Sequence, residues 1–258
     1  MEHNLFDLTG KVAIITGAAR GIGKVIAQGL AAVGVKVVIA DIKQIEAEAT
    51  AKIIQAAGGD AIALTTDVTK RQDCQNLIQQ TVNYYNRLDI LVCNAGIDIL
   101  KPFISLEEEE WDAIMNVDLK GYFNCSQLAA KQMMAQGTGG SIIMSSSIAG
   151  VIGISGCAAY TAAKGGVNQL VRSLAVEWAN DRIRVNAFAP GYINNIMEGT
   201  EKFRLPPEQD QAHLKIKIPM QRRGEPTELV GPVIFLASDA ATYVTGAILM
   251  VDGGYSAI

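Results

Sequence analysis

The sequence predicts an α/β protein: one doubly wound domain over residues 1–258, built on a seven-stranded, mostly parallel sheet. Three observations carry that expectation. Short β-branched apolar runs alternate along the chain with longer segments of helical period. The strand-like runs are apolar throughout instead of alternating, as happens when helices cover both faces of a sheet. The 258 residues are 49% hydrophobic and 19% charged, which supplies one buried core and is too apolar for a disordered chain.

The elements follow in order. Val12–Thr16 is the first strand and Ile22–Val33 the first helix. Lys36–Ala40 with Glu46–Ala57, then Ala61–Thr65 with Arg71–Tyr85, repeat the pair. Ile90–Cys93 leads to the long helical pattern Glu108–Ala135, whose acidic start, Glu107 to Glu110, suits a helix N-terminus. Ser141–Met144 precedes the helix Ala158–Ala179, Arg184–Phe188 precedes Thr227–Ser238, and Ala247–Val251 completes the sheet. Strands fed by helices imply right-handed βαβ units. Residues 191–221 break the rhythm: they are polar, contain Pro206-Pro207 and hold no strand. A long excursion at that place is expected as a substrate lid, with a surface loop of no function as the other reading.

The first strand runs into Thr16-Gly17-Ala18-Ala19-Arg20-Gly21-Ile22-Gly23 and a helix follows. Glycines at a strand-to-helix turn permit the tight turn, the approach of a pyrophosphate to the backbone, and close helix–strand packing. The helix N-terminus offers free N–H groups to phosphates. Gly17, Arg20, Gly21, Ile22 and Gly23 are therefore candidate dinucleotide contacts on a Rossmann-type fold. Asp41 ends the second strand 18 residues after Gly23. A carboxylate there accepts bonds from both adenosine ribose hydroxyls and repels a 2′-phosphate, so NAD is expected over NADP. Arg20 and Lys43 could instead reach such a phosphate. Asp67 and its neighbour Val68, after the third strand, are placed beside the adenine, with a helix cap aided by Thr69 as the alternative for Asp67.

Tyr160 and Lys164 stand four apart in a helical pattern and so share a face. Tyrosine, with a pKa near ~10, is a poor base at neutral pH, and bringing it toward ~7 takes about 4 kcal/mol of preferential stabilisation of the phenolate. An ammonium one turn away supplies part of that. Ser147 lies 13 residues before Tyr160, after an apolar strand, in Ser145-Ser146-Ser147-Ile148-Ala149-Gly150. The C-terminal end of such a strand faces the ligand crevice. The chain has two histidines, His3 and His213, so a histidine-based triad or multi-histidine metal site is hard to build.

These motifs, with Asn94-Ala95-Gly96, Asn116 and Pro190-Gly191, make the chain similar to the short-chain dehydrogenase/reductase family over essentially its whole length. The resemblance implies Tyr160 as general acid/base and Ser147 as the group orienting the substrate oxygen. It implies that Lys164 lowers the tyrosine pKa and binds the nicotinamide ribose, and that Asn116 holds a water in a proton relay. Asn94, Ala95 and Gly96 would border the cofactor, Pro190 and Gly191 would lie beside the nicotinamide, and Ile193 and Asn195 would meet its carboxamide. Cys93 and Asn195 depart from the family's usual asparagine and threonine. A homotetramer is also implied, and the helical patterns Glu108–Ala135 and Ala158–Ala179 are apolar on more than one face, as subunit contact requires.

Asp98, Gly153, Cys157 and Tyr192 are expected with Ser147 and Tyr160 around the substrate. Leu5 to Lys11 and Arg222 to Pro226 resemble members acting on sugar acids and polyols, the gluconate 5-dehydrogenases among them, so the expected substrate is a sugar, sugar acid, polyol or small diol. A 3-oxoacyl thioester reductase or a hydroxysteroid-type dehydrogenase is the enzyme alternative, and a dinucleotide-binding regulator without turnover the non-enzymatic one. A net charge of −4 argues against nucleic-acid binding. The four cysteines have no Cys-x-x-Cys spacing and read as buried thiols of a cytoplasmic protein. No metal site is expected. The mostly apolar stretch Gly29 to Ala40 is too short to span a membrane, and no signal peptide is expected at the N-terminus.

Overall fold

In the computed structural model, which describes residues 4–194 and 206–258, seven strands form one sheet of order β3-β2-β1-β4-β5-β6-β7. They are β1 (Val12–Thr16), β2 (Lys36–Asp41), β3 (Ala61–Thr65), β4 (Ile90–Cys93), β5 (Gly140–Ser145), β6 (Ile183–Pro190) and β7 (Ile248–Val251). Every adjacent pair is parallel, so the expected mostly parallel sheet is parallel throughout. The order reverses between β1 and β4, where the chain winds outward to both sides and a crevice opens at the strand C-termini.

The helices are α1 (Gly21–Ala32), α2 (Gln44–Ala56), α3 (Arg71–Tyr85), α4 (Glu108–Met115), α5 (Gly121–Gln136), α6 (Ala158–Trp178), α7 (Pro207–Lys217) and α8 (Val230–Ala237). Alternate strand residues bury to opposite faces. Ile14, Val38, Leu91, Ile142 and Val185 pack with Leu77 of α3, Met133 of α5 and Val171 of α6. Ile15, Val37, Val92, Ile143 and Phe188 pack with Leu30 of α1, Ile54 of α2 and Leu236 of α8. Both faces of each central strand are thus dry, which is why the strands carry no polar alternation.

Two elements differ from the sequence expectation. The pattern Glu108–Ala135 is not one regular helix: a π turn, Asn116–Lys120, separates α4 from α5. Such a turn inserts a residue and rotates everything after it relative to a 3.6-residue repeat. Part of the polar stretch 191–221 is helical, as α7, opening on Pro207 at its first turn with Glu208 and Asp210 and ending with Lys215 and Lys217, a charge order that suits the helix dipole. Residues 195–205 of the expected lid, including Asn195, lie outside the described residues. All four cysteines are free and buried.

Candidate active site

The glycine turn after β1 is held by β4. Asn94 donates from its side-chain amide to the carbonyls of Thr16 and Gly17, both at 3.1 Å, and its backbone N–H donates to Thr16 Oγ1 at 3.0 Å. A Cβ on Gly17 would come within 2.7 Å of Ala95 Cα, and Gly17 also takes φ +65°. A Cβ on Gly23 would lie 2.3 Å from the Gly17 carbonyl oxygen. The glycines therefore let the turn lie against β4 and against the start of α1. Asp41 braces the same turn from β2, accepting from Ala19 N and Lys43 N at 3.0 Å each.

This turn opens one end of a cleft of about 410 Å³ that runs across the C-terminal ends of the central strands. Gly17, Arg20, Gly21, Ile22, Asp41, Asp67, Val68, Asn94, Ala95, Gly96, Ser147, Tyr160, Lys164, Pro190, Gly191 and Ile193 all line it. Gly23 does not; it supports the turn from beneath. Asp67 lines the wall while accepting from Thr69 N at 3.0 Å and Thr69 Oγ1 at 2.6 Å, which closes its own turn; it does not cap α3, whose N-cap is Lys70.

The three serines after β5 separate cleanly. Ser145 presents its carbonyl to Lys164 at 3.0 Å. The Ser146 hydroxyl is buried and donates to Asn168 Oδ1 at 2.6 Å. Ser147 alone is half-exposed in the cleft, its Oγ accepting from Ala149 N at 3.1 Å. Tyr160 and Lys164 come from the first two turns of α6, and the Lys164 Nζ lies 5.3 Å from the centre of the Tyr160 ring. Burial pushes the Tyr160 phenol well above its ordinary pKa; Lys164 opposes that, and Asp118 adds to it.

Asn116 is not in this cleft. The residue that meets Lys164 is Asp118, two positions on within the π turn, 3.1 Å from Nζ and fully buried. Asn116, implied by the family resemblance, opens the same π turn two residues earlier. Asp98, Gly153, Cys157 and Tyr192 are not among the residues that line this cleft. Asp98 is half-buried, with Oδ2 3.9 Å from the Cys157 sulfur and Oδ1 without a hydrogen-bond partner. Burial pushes its carboxyl up to about 6. Gly153 is exposed, and Tyr192 packs on Tyr255, ring centres 5.5 Å apart, with the Arg223 guanidinium over its face. Residues the sequence did not single out, Thr66, Ile97, Val117 and Asp118, complete the wall.

The residues present suit a nicotinamide dinucleotide. The cradle at Gly17 admits no side chain, the N-terminus of α1 opens at the turn, and the carboxylate of Asp41 stands at the far end. Among the described residues no group of three or more His, Cys, Asp and Glu side chains could hold a metal ion, and no helix is long and apolar enough to cross a membrane.

Comparison with known proteins agrees in direction. A family model described as enoyl-(acyl carrier protein) reductase matches residues 17–256. The chain is 40% identical to 2-dehydro-3-deoxy-D-gluconate 5-dehydrogenase of Escherichia coli (strain K12) over 257 residues, covering 100% of both chains. It is 39% identical to a 3-oxoacyl-acyl-carrier-protein reductase of Thermotoga maritima, covering 96% of this chain and 98% of that one. Its fold matches the crystal structure of a gluconate 5-dehydrogenase from Burkholderia cenocepacia J2315 in complex with NADP and tartrate, with a TM-score of 0.93, 35% identity, and 99% and 98% of the two chains covered.

Proposed function

The chain belongs to the short-chain dehydrogenase/reductase family, and on that footing we propose that it moves hydride between a nicotinamide dinucleotide and a secondary alcohol or ketone, with a sugar acid, sugar, polyol or small diol as substrate. The observation that carries this reading is the meeting of the glycine turn, Asp41, Ser147, Tyr160 and Lys164 in one cleft. The dinucleotide, held along Gly17 to Ile22 and Asn94 to Gly96, supplies the hydride acceptor or donor. The chain's own part is proton handling and orientation. Ser147 donates a hydrogen bond to the substrate oxygen and Tyr160 removes or returns its proton. Lys164, fixed by Asp118, Tyr122 and the Ser145 carbonyl, holds positive charge beside the phenol and favours its ionised form.

Asp41 supports NAD as the preferred cofactor, because its carboxylate suits two ribose hydroxyls and repels a 2′-phosphate. The Lys43 ammonium, which could have received that phosphate, stands 3.9 Å from Glu46. The NADP bound to the Burkholderia relative weighs the other way. Reduction of a 3-oxoacyl thioester is the second reading, favoured by the Thermotoga relative. Residues 191–221 are proposed as a lid over the substrate. A cytoplasmic homotetramer completes the reading, supported by the exposed apolar side chains Phe123 on α5 and Val176 on α6. The test is absorbance of the reduced nicotinamide with panels of polyols, sugar acids and 3-oxoacyl thioesters, each with NAD(H) and NADP(H). Turnover of a polyol or sugar acid with NAD supports the proposal, and turnover of thioesters alone overturns the substrate class.

A further inference from the structure

The ammonium of Lys164 is held by three groups from three elements. Asp118 Oδ2 from the π turn lies at 3.1 Å, the Tyr122 hydroxyl from α5 at 3.1 Å and the Ser145 carbonyl from β5 at 3.0 Å. Two N–H groups donate to the Tyr122 hydroxyl and the Ser145 carbonyl, and the Asp118 carboxylate forms an ion pair with the same ammonium. Lys164 thus acts on Tyr160 with a carboxylate lying against its charge. Asp118 is itself held in place: its Oδ1 accepts from Ile97 N at 2.9 Å, and a Cβ on Gly96 would come within 2.8 Å of Oδ2. The carboxylate is thus built into the wall between the 94–97 loop and Lys164.

We infer that Asp118 is a positioning residue that fixes the Lys164 ammonium and cancels part of its charge, so that Tyr160 ionises at a higher pH than it would beside a neutral residue at position 118. The inference rests on the reading of Tyr160 as the acid/base. An ammonium with a carboxylate 3.1 Å away acts on its surroundings as a dipole, and its field at the phenol is weaker than that of a lone cation.

The other titratable groups around the pair do not reverse this. Cys93 on β4 is buried and its thiol is pushed far up by that burial, so it stays neutral. Tyr122 is buried and likewise held neutral. Asp98, in the loop after β4, adds a second carboxylate that disfavours the phenolate, with Cys157 beyond it. Burial raises the Asp118 carboxyl and Lys164 opposes that; Lys164 in turn is held charged by Asp118 against its own burial. Among the groups acting most strongly on Tyr160, Lys164 favours the phenolate and Asp118 and Asp98 disfavour it.

The test is the pH dependence of kcat/KM for alcohol oxidation in the wild type and in Asp118→Asn, with the dinucleotide Kd measured alongside. The ascending limb of the variant is expected about one to two pH units lower, from the loss of one charge a few ångströms beyond the ammonium, with Kd within about threefold. A limb that stays in place or moves up overturns the inference, whereas a purely structural role would lower kcat/KM at every pH without moving the limb. A second readout needs no substrate and no change at position 118: ultraviolet titration of tyrosinate in the cofactor-free wild type against Tyr160→Phe. No tyrosinate from Tyr160 below about pH 9 is expected; its appearance near neutral pH overturns the inference. Because that titration involves no turnover, it stands even where the substrate screen finds no activity.

Discussion

Gly23→Ala is the most quantitative probe of the cofactor cradle. The new Cβ would lie 2.3 Å from Gly17 O, 2.5 Å from Asn94 Nδ2 and 3.0 Å from Ala18 Cα. Two of those neighbours are backbone, and the third is the amide that holds the turn, so no flexible side-chain end can yield. Relief requires the Gly17 carbonyl to move by about 1 Å, since carbon contacts settle near ~3.5 Å. That movement breaks the Asn94 amide bond to Gly17. Overpacking costs about 1–3 kcal/mol, and the lost bond adds about 1 kcal/mol. A total of about 2–4 kcal/mol lowers Tm by about 4–16 °C in a chain of this size. The part felt at the cradle weakens dinucleotide binding by about 10- to 100-fold. Calorimetric titration with NADH and thermal melts without cofactor measure both. Gly231→Ala is the control: its Cβ meets nothing within 4 Å in α8, so it is expected to leave the Kd unchanged and to stabilise by up to about 1 kcal/mol. A Gly23→Ala protein that binds NADH like the wild type and melts at the same temperature would refute the cradle.

Two further changes test the electrostatics. Burial lifts Asp98 from 3.8 to about 6, so between those values the folded chain holds a proton the unfolded chain has released. Stability therefore falls as pH rises through that window and stays lower above it. The full shift corresponds to about 3 kcal/mol, reduced to about 1–2 kcal/mol for partial exposure. Asp98→Asn is expected to be more stable than the wild type by that amount at pH 7, with the gap gone below about pH 4 in urea melts; equal stability at both pH values counts against it. Asp41→Ser removes the carboxylate at the adenosine end of the cleft, and the ratio of kcat/KM for NAD over NADP is expected to fall by about 10- to 100-fold, the worth of a charged hydrogen bond. An unchanged ratio would show that Asp41 braces the turn and does not select the cofactor.

The sheet was legible because its signal is redundant. β1 and β4 carry the residue ranges expected from apolar runs, since both faces of these central strands are buried and every residue reports the same state, while β3 carries its expected range at the sheet edge, where it is only half-buried. The glycine turn was legible for a local reason: a positive φ at Gly17 and the tight approach to Ala95 and Asn94 demand residues without side chains. Ser147, Tyr160 and Lys164 could be placed because each is tied to the end of one strand or one face of one regular helix. Asp118 could not, since Asn116 came from the family resemblance and no periodicity marks which residue of the π turn Asn116–Lys120 meets Lys164. A polar residue after a glycine loop reads as solvated or substrate-facing; Asp98 is half-buried, with Oδ2 3.9 Å from the Cys157 sulfur, a contact no local pattern signals. The helix α7 went unread because its polar sequence has no apolar stripe; its first turn, with Pro207, Glu208 and Asp210, is its main signal.

The central claim, that this cleft performs alcohol–ketone exchange with Tyr160 as its proton-transfer group, is met most directly by comparing wild type and Tyr160→Phe on the best substrate of the screen at saturating dinucleotide. The account predicts a fall in kcat of about 100- to 10,000-fold with the NADH Kd unchanged, because the hydroxyl is removed while the ring still packs against Ile114 and Ala163. A Tyr160→Phe enzyme with near wild-type turnover would contradict it.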